Sequence, residues 1–400
     1  LCFFLLYGKF NHMVVERYLY KTIHADLKEK MVFLSGPRQV GKTTLAKTFL
    51  KNKKDSYFNW DNREDRQKIL AARWPAESVT IVFDELHKYK YWKGWVKGEY
   101  DKHGERIRFL ITGSARMDVY RKGGDSLQGR YHSHRLHGFS VGELLHTKTT
   151  IEPGTEINFS SRNNKDVIMS LFQYGPFPEP FLKQNQRTLR RWHSERMDRF
   201  FREDVRDLEN VRDLSSMELL ADMLKNRVGS PFSIQSLRED LEVSHKALSH
   251  WVDIFERLYF CFTITPFARS RIRSLKKIPK LYLWDWSSVP EPDARFENLV
   301  ACHLLKMKHA LEDQEGFDIG LHYLRDTSKR EVDFLITYNN KPWFAVECRT
   351  TGGSVNPALF YFGERLNIPY LYQVNLEGKE DVYDGSVRVI PAGKFLSSLP

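Results

Sequence analysis

Cysteine is scarce in this sequence. Its four residues, Cys2, Cys261, Cys302 and Cys348, stand far apart with no C-x-x-C spacing. That argues against a zinc site built from paired thiolates and against a disulfide framework, and it fits a reducing cytoplasm. Long apolar runs are missing as well. The opening LCFFLLY stretch is too short to span a bilayer, and it lacks the charged start and small-residue cleavage site of a signal peptide. No later segment is apolar enough for a transmembrane helix, so no membrane partner is expected. Internal repeats and low-complexity tracts are absent too, which leaves no basis for a solenoid or a disordered linker.

What is present suits a folded chain of two or three domains: 400 residues, 41% hydrophobic and 14% aromatic. Basic residues outnumber acidic ones 62 to 51, a net charge of +11. A surplus of that size is compatible with a nucleic-acid or nucleotide partner, and equally with an ordinary solvated surface. The chain begins with Leu1, whereas Met13 stands just before a recognisable domain start. Met13 is therefore expected as the true start, with Leu1 to His12 an upstream extension; residues 1–16 are expected to stand as an N-terminal extension ahead of the first domain.

From residue 17 to 146 short apolar runs alternate with amphipathic segments, the signature of a parallel α/β sheet. The expected strands are Met31 to Ser35, Tyr57 to Trp60, Val79 to Phe83, Arg108 to Thr112 and Ser133 to His137. The first runs into GPRQVGKT, a complete G-x-x-x-x-G-K-T pattern between a strand and a helix. In such a loop Gly36, Pro37, Arg38, Gln39, Val40 and Gly41 turn successive N–H groups toward phosphate oxygens. Lys42 would neutralise the terminal phosphates, Thr43 would ligate Mg²⁺, and Thr44 completes the set. The expected cofactors are thus ATP and Mg²⁺.

The strand VTIVFDEL ends in Asp84 and Glu85. Asp84 is expected to hold the Mg²⁺ shell with Thr43, and Glu85 to polarise the attacking water. The next strand ends in Thr112-Gly113-Ser114, where Thr112 and Ser114 are candidate reporters of the γ-phosphate; a plain turn is the alternative. In SLQGR, Arg130 would stabilise transition-state charge in its own or a neighbouring subunit, or else serve as an ordinary surface residue. A homo-oligomer is expected if it acts in trans.

Beyond the polar stretch 147 to 165 the pattern becomes helical. SIQSLREDLEVSHKALSHWVDIFERLYF predicts two helices joined by a short turn at Val243-Ser244, a helix-turn-helix pattern. In a DNA-binding role Ser244, His245, Lys246 and His250 would face a groove. Arg271, Arg273, Lys276 and Lys277 of an adjoining wing would touch phosphates. A protein-contact or lid module fits the same pattern. Strand signals then return in KLYLW, EVDFLITY, WFAVEC and YLYQV, with a helix from about Arg295 to Met307. Here Glu297, Asp333 and Glu347 arrive from a helix and two strands, and are the candidate ligands of a second metal.

The motifs GPRQVGKTTL, IVFDEL, ITGSA, SLQGR and YGPFPE, in this order, resemble prokaryotic AAA-type ATP-binding proteins with a C-terminal domain of unknown function 4143. Pro176 stands where a second glycine is more usual. The resemblance implies an AAA-type P-loop ATPase over residues 17–146, a helical and winged-helix region over 147–290, and a restriction-endonuclease-like α/β domain over 291–400. In that last domain the pattern resembles a D…E-x-K core, but Arg349 replaces the lysine. An arginine stays protonated and cannot act as a base, so a non-cleaving docking domain is expected over an active nuclease. The expected reaction is ATP + H₂O → ADP + Pi. Its output is DNA-associated work, an ATP-gated switch on protein partners or, least favoured, metal-dependent DNA cleavage.

Overall fold

The computed structural model describes residues 4–5, 14–114, 127–147, 150–159, 164–206, 213–268 and 278–400. Met13, and the proposed wing residues Arg271, Arg273, Lys276 and Lys277, lie outside the described residues. The chain divides into two compact units: residues 1–138 with 257–259, and residues 139–256 with 260–400.

The first unit holds a two-residue ladder, β1 (Phe4–Leu5) with β2 (Val14–Val15), and a five-stranded sheet. The strands of that sheet are β3 (Met31–Ser35), β4 (Ser56–Asn59), β5 (Thr80–Asp84), β6 (Arg108–Gly113) and β7 (Tyr131–Arg135). All pair in parallel, in the order β4-β5-β6-β3-β7. Every residue of β3 and β5 is buried, as expected for strands covered on both faces by crossover helices. The crossovers are Lys42–Lys47, Arg63–Leu70 and Trp92–His103. Arg63–Leu70 starts cleanly because the Asn62 side chain accepts from the amides of Glu64 and Asp65. Beneath the sheet an aromatic core gathers around Phe83, with Trp95, Phe109 and Phe58 rings 5.2, 5.9 and 6.0 Å away.

Strand order decides where a ligand can sit. The chain leaves β3 and crosses β6 and β5 to reach β4, while β7 returns to the other side of β3. The carboxyl end of β3 is therefore the switch point, where neighbouring connections diverge and leave a crevice. Gly113 ends the neighbouring strand β6, and Asp84 ends β5, one strand further on.

The second unit is built on a mixed eight-stranded sheet ordered β14-β15-β13-β12-β11-β10-β8-β9. Its strands are β8 (Cys261–Pro266), β9 (Lys280–Leu283), β10 (Ile319–Arg325), β11 (Glu331–Tyr338), β12 (Lys341–Arg349), β13 (Tyr370–Asn375), β14 (Val382–Asp384) and β15 (Val387–Pro391). The 24-residue helix Pro292–Glu315 packs on it, with Pro at its first turn, a Glu291 side-chain cap and Gly316 in a left-handed conformation at its end. Strands β8 and β9 fall within residues 147–290, expected to be helical and winged, and β9 lies in the expected KLYLW strand. Helices Ile234–Leu241 and His245–Arg257 are separated by a three-residue turn in which Glu242 takes a positive φ of 55°. Ser244 Oγ caps the second helix by accepting from the Ala247 amide at 3.1 Å. Ser244, His245, Lys246 and His250 are all exposed. Among the described residues, no helix is long and apolar enough to cross a membrane.

Candidate functional site

Residues 36 to 41 form the turn between β3 and the helix Lys42–Lys47. Gly36, Gln39 and Gly41 take positive φ values of 149°, 65° and 101°, and such alternations curl a backbone into a concave run of N–H groups. Gly36 has a second constraint. A Cβ there would lie 2.4 Å from the Leu136 carbonyl oxygen, so no side chain fits. Gly36, Pro37 and Val40 are buried, Arg38 and Gln39 are half-buried, and Thr44 is exposed. Lys42, only 5% exposed, curls back over this turn and donates to the Gly36 and Pro37 carbonyls at 3.0 and 2.8 Å. Its ammonium is therefore held inside the loop, where a phosphate oxygen would need it.

The Thr43 hydroxyl donates to Asp84 Oδ2 at 2.8 Å, although 41 positions separate them in sequence. Two further hydroxyls hold the same carboxylate: Tyr57 donates to Oδ2 at 2.6 Å, and Thr112 donates to Oδ1. An alcohol and a carboxylate in contact beside an anion-binding turn form the oxygen donor set that a hard dication such as Mg²⁺ takes. The residues present thus fit a magnesium–nucleotide site. Burial and the Asp84 contact push the Tyr57 phenol above its ordinary range, so it stays a hydrogen-bond donor.

Glu85 turns the chain at a positive φ of 57°, which separates its carboxylate from that of Asp84. Its Oε2 accepts from Ser114 Oγ at 3.3 Å and lies 3.9 Å from Lys88 Nζ. His87 Nδ1 is 3.8 Å from the same oxygen, and burial lowers the imidazole's pKa despite the Glu85 charge. The six residues Lys42, Thr43, Asp84, Glu85, Thr112 and Ser114 therefore form one contiguous set at the carboxyl edge of the sheet.

Arg130 is not part of that set. It precedes β7, whose first residue Tyr131 pairs with Met31 at the start of β3, whereas the loop leaves the far end of β3. The separation is roughly 13 Å of strand at about 3.3 Å per residue. There Arg130 forms an ion pair with Asp101 at 2.7 Å. A role for Arg130 at the loop of its own chain is therefore not supported.

Sequence reasoning missed three supports of the loop. Arg17, 1% exposed, donates to the carbonyls of Val40 (2.9 Å) and His137. Tyr57 reaches Asp84 as described. Tyr259 donates to Ser35 Oγ at 2.9 Å, one residue before Gly36. None belongs to a local motif, and only the sheet topology brings them in.

In the second unit, Asp333 on β11 faces Glu347 on β12, one step beyond the Phe334–Val346 pair. Asp333 Oδ2 accepts from the Cys348 amide at 2.8 Å. Glu347 Oε1 accepts from Asn356 Nδ2 at 2.8 Å and pairs with Arg349 at 3.0 Å, while Oε2 is buried with no partner. Burial and the Asp333 charge push Glu347 up to about 8 and Glu297 up to about 7.

The expected second metal site of Glu297, Asp333 and Glu347 is not formed. Among the described residues no group of three His, Cys, Asp or Glu side chains can hold a metal ion. The physical reason is Lys280, 1% exposed, whose Nζ lies 2.7 Å from Glu331, 3.1 Å from Glu297 and 3.7 Å from Asp333. Burial alone would lower its pKa, but the three carboxylates outweigh burial and hold it above the usual lysine range.

Family models match residues 28–145 as an AAA domain, 166–289 as a domain of unknown function (DUF8612) and 293–395 as a domain of unknown function (DUF4143). The expected combination of an AAA-type ATP-binding domain with a C-terminal domain of unknown function 4143 is thus present. The uncharacterized protein Rv2008c of Mycobacterium tuberculosis is 23% identical over 288 residues, covering 70% of this chain. The chain spans about 60% of that relative's length. The uncharacterized protein MJ1544 of Methanocaldococcus jannaschii is 23% identical over 349 residues, covering 80% of this chain and 76% of its own. The solved structure of C. elegans PCH-2 aligns over 60% of this chain and 65% of its own at 12% identity, but its TM-score of 0.21 carries no argument.

Proposed function

We propose that this chain, which joins an AAA-type nucleotide-binding domain to a domain of unknown function 4143, binds MgATP and hydrolyses it to ADP and Pi. The observation that carries this is the Thr43–Asp84 contact at 2.8 Å beside a loop that already encloses the Lys42 ammonium. Gly36 to Gly41 would wrap the phosphates with backbone amides, and Lys42 would neutralise their terminal charge. Mg²⁺, held through Thr43 and Asp84, would supply charge neutralisation between the phosphates. Glu85 would accept the proton of the attacking water, with Ser114 orienting its carboxylate and Thr112 steadying Asp84.

Two substitutions test this separately. Lys42→Ala should abolish ATP binding measured by equilibrium titration. Glu85→Gln should keep binding yet lose phosphate release by at least a hundredfold, the scale of general-base catalysis at about 10²–10⁴. Unchanged binding in Lys42→Ala would overturn the proposal.

For the output, a DNA-associated role is favoured by the exposed Ser244, His245, Lys246 and His250 beside a helix-turn-helix bend, on a chain of net charge +11. Salt-sensitive gel shifts should detect it; affinity that does not change with salt would instead favour a protein partner gated by ATP. Arg130, held away from its own loop, would act only in a neighbouring subunit, and mass measurement with and without ATP would reveal that homo-oligomer. DNA cleavage is not part of the proposal, because Lys280 occupies the centre of the carboxylate cluster.

A further inference from the structure

Four carboxylates converge in the second unit, and each contacts a donor of the same chain. Lys280 reaches Glu331, Glu297 and Asp333 from β9. Tyr282, two residues further on the same strand, donates to Glu297 Oε1 at 2.6 Å. Arg325 takes the other oxygen of Glu331 at 2.6 Å, and Arg349 takes Glu347. The Glu347 oxygen left without a partner is buried at a cleft of about 610 Å³ whose lining includes Glu331, Asp333, Asn356 and Tyr361. Oxygen-donor dications need six or more oxygens, or tightly held water, within about 2.0–2.6 Å. An ammonium 2.7 to 3.7 Å from three of these carboxylates already stands at their common centre.

We propose that Lys280 is the resident cation of this carboxylate cluster: its ammonium stands among Glu331, Glu297 and Asp333 where a divalent metal would need to be, and the cluster becomes a metal site only when Lys280 is replaced. Like charges cannot share so small a volume at low dielectric, and the lysine is tethered, so it outcompetes any dication in solution. The inference does not depend on ATP hydrolysis by the first unit.

Manganese binding to the full chain without nucleotide tests this, counting bound Mn²⁺ by electron paramagnetic resonance. Wild type and Asp333→Asn should bind the same number of ions. Lys280→Met should gain one site, Lys280→Met with Asp333→Asn should lose it again, and Lys280→Arg should gain none. Lys280→Met should also melt earlier than wild type and recover on adding Mn²⁺, a readout separate from any activity. A wild-type Mn²⁺ site that disappears in Asp333→Asn would overturn the proposal, as would folded Lys280→Met with no added site. If Lys280→Met does not fold even with Mn²⁺, the comparison of wild type with Asp333→Asn decides alone.

Discussion

Asp84 is a nearly buried carboxylate with three hydroxyl donors, and removing one of them gives a measurable test of the proposed magnesium site. Tyr57→Phe deletes only an oxygen, so the ring packing and the Lys47 ammonium 4.3 Å above the ring are retained. A hydrogen bond to a charged acceptor contributes about 1.5–3 kcal/mol. Thr43 remains on the same oxygen at 2.8 Å, so the carboxylate is not left bare and the loss should sit at the low end, about 1.5 kcal/mol. Roughly 1.4 kcal/mol is tenfold in an equilibrium constant, so a carboxylate that has lost its orientation should need about ten times more Mg²⁺ to half-saturate ATP binding. The assay is a Mg²⁺ titration of ATP affinity, paired with urea unfolding. Placing Tyr57→Phe in an Asp84→Ala background should erase both effects. The reasoning is refuted if the single variant leaves the Mg²⁺ requirement unchanged, or if its cost persists without Asp84.

Two other perturbations address the loop and the second unit. Gly36→Ala places a methyl group 2.4 Å from a backbone oxygen, so it should lower both stability and ATP affinity. Gly129→Ala, with positive φ but no neighbour within 4 Å, should cost only the conformational strain of about 1–2 kcal/mol; equal losses in the two would contradict the steric argument. His303 is buried neutral: its Nδ1–H donates to the Leu299 carbonyl at 2.8 Å, and its Nε2 accepts from the Val141 amide at 3.2 Å. Burial lowers its pKa from 6.5 to about 4. The unfolded chain therefore takes up this proton first. The stability concerned is present above about pH 6.5 and is lost as pH falls toward 4, on the order of 3 kcal/mol in all. Urea midpoints between pH 7 and 4.5 should fall less steeply in His303→Gln, and parallel slopes would rule the account out.

The phosphate loop was legible because its requirements are consecutive. Two glycines, a lysine and a threonine within eight positions leave few backbone solutions. Asp84 and Glu85 were equally readable, since an apolar strand ending in acids marks its own carboxyl end. β3 lies where its pattern places it, whereas β7 begins at Tyr131, two residues before the expected Ser133. The basic cluster near Lys280 resembled a surface wing, because sequence cannot distinguish a lysine facing water from one facing three carboxylates. Arg17, Tyr57 and Tyr259 lie 23, 27 and 224 positions from their partners. Only strand order could have revealed them. The same applies to Arg130: its glycine-arginine motif is visible in sequence, but which end of a strand it occupies is not.

Arg17 has a practical consequence for anyone dissecting the chain. The AAA-domain match opens at residue 28 and closes at 145, and a fragment trimmed to those limits would be a natural choice for expression. Such a fragment would lose the guanidinium that clasps Val40 and His137, the Tyr18 hydroxyl on the Arg135 carbonyl at 2.5 Å, and Tyr259 beside Ser35. The Val40 and His137 carbonyls would then lose the Arg17 donor, and the nucleotide loop would lose its brace from both directions along the chain. Borders drawn where sequences look alike thus fall inside the cooperative piece, so a nucleotide-binding fragment must keep residues from both outside flanks.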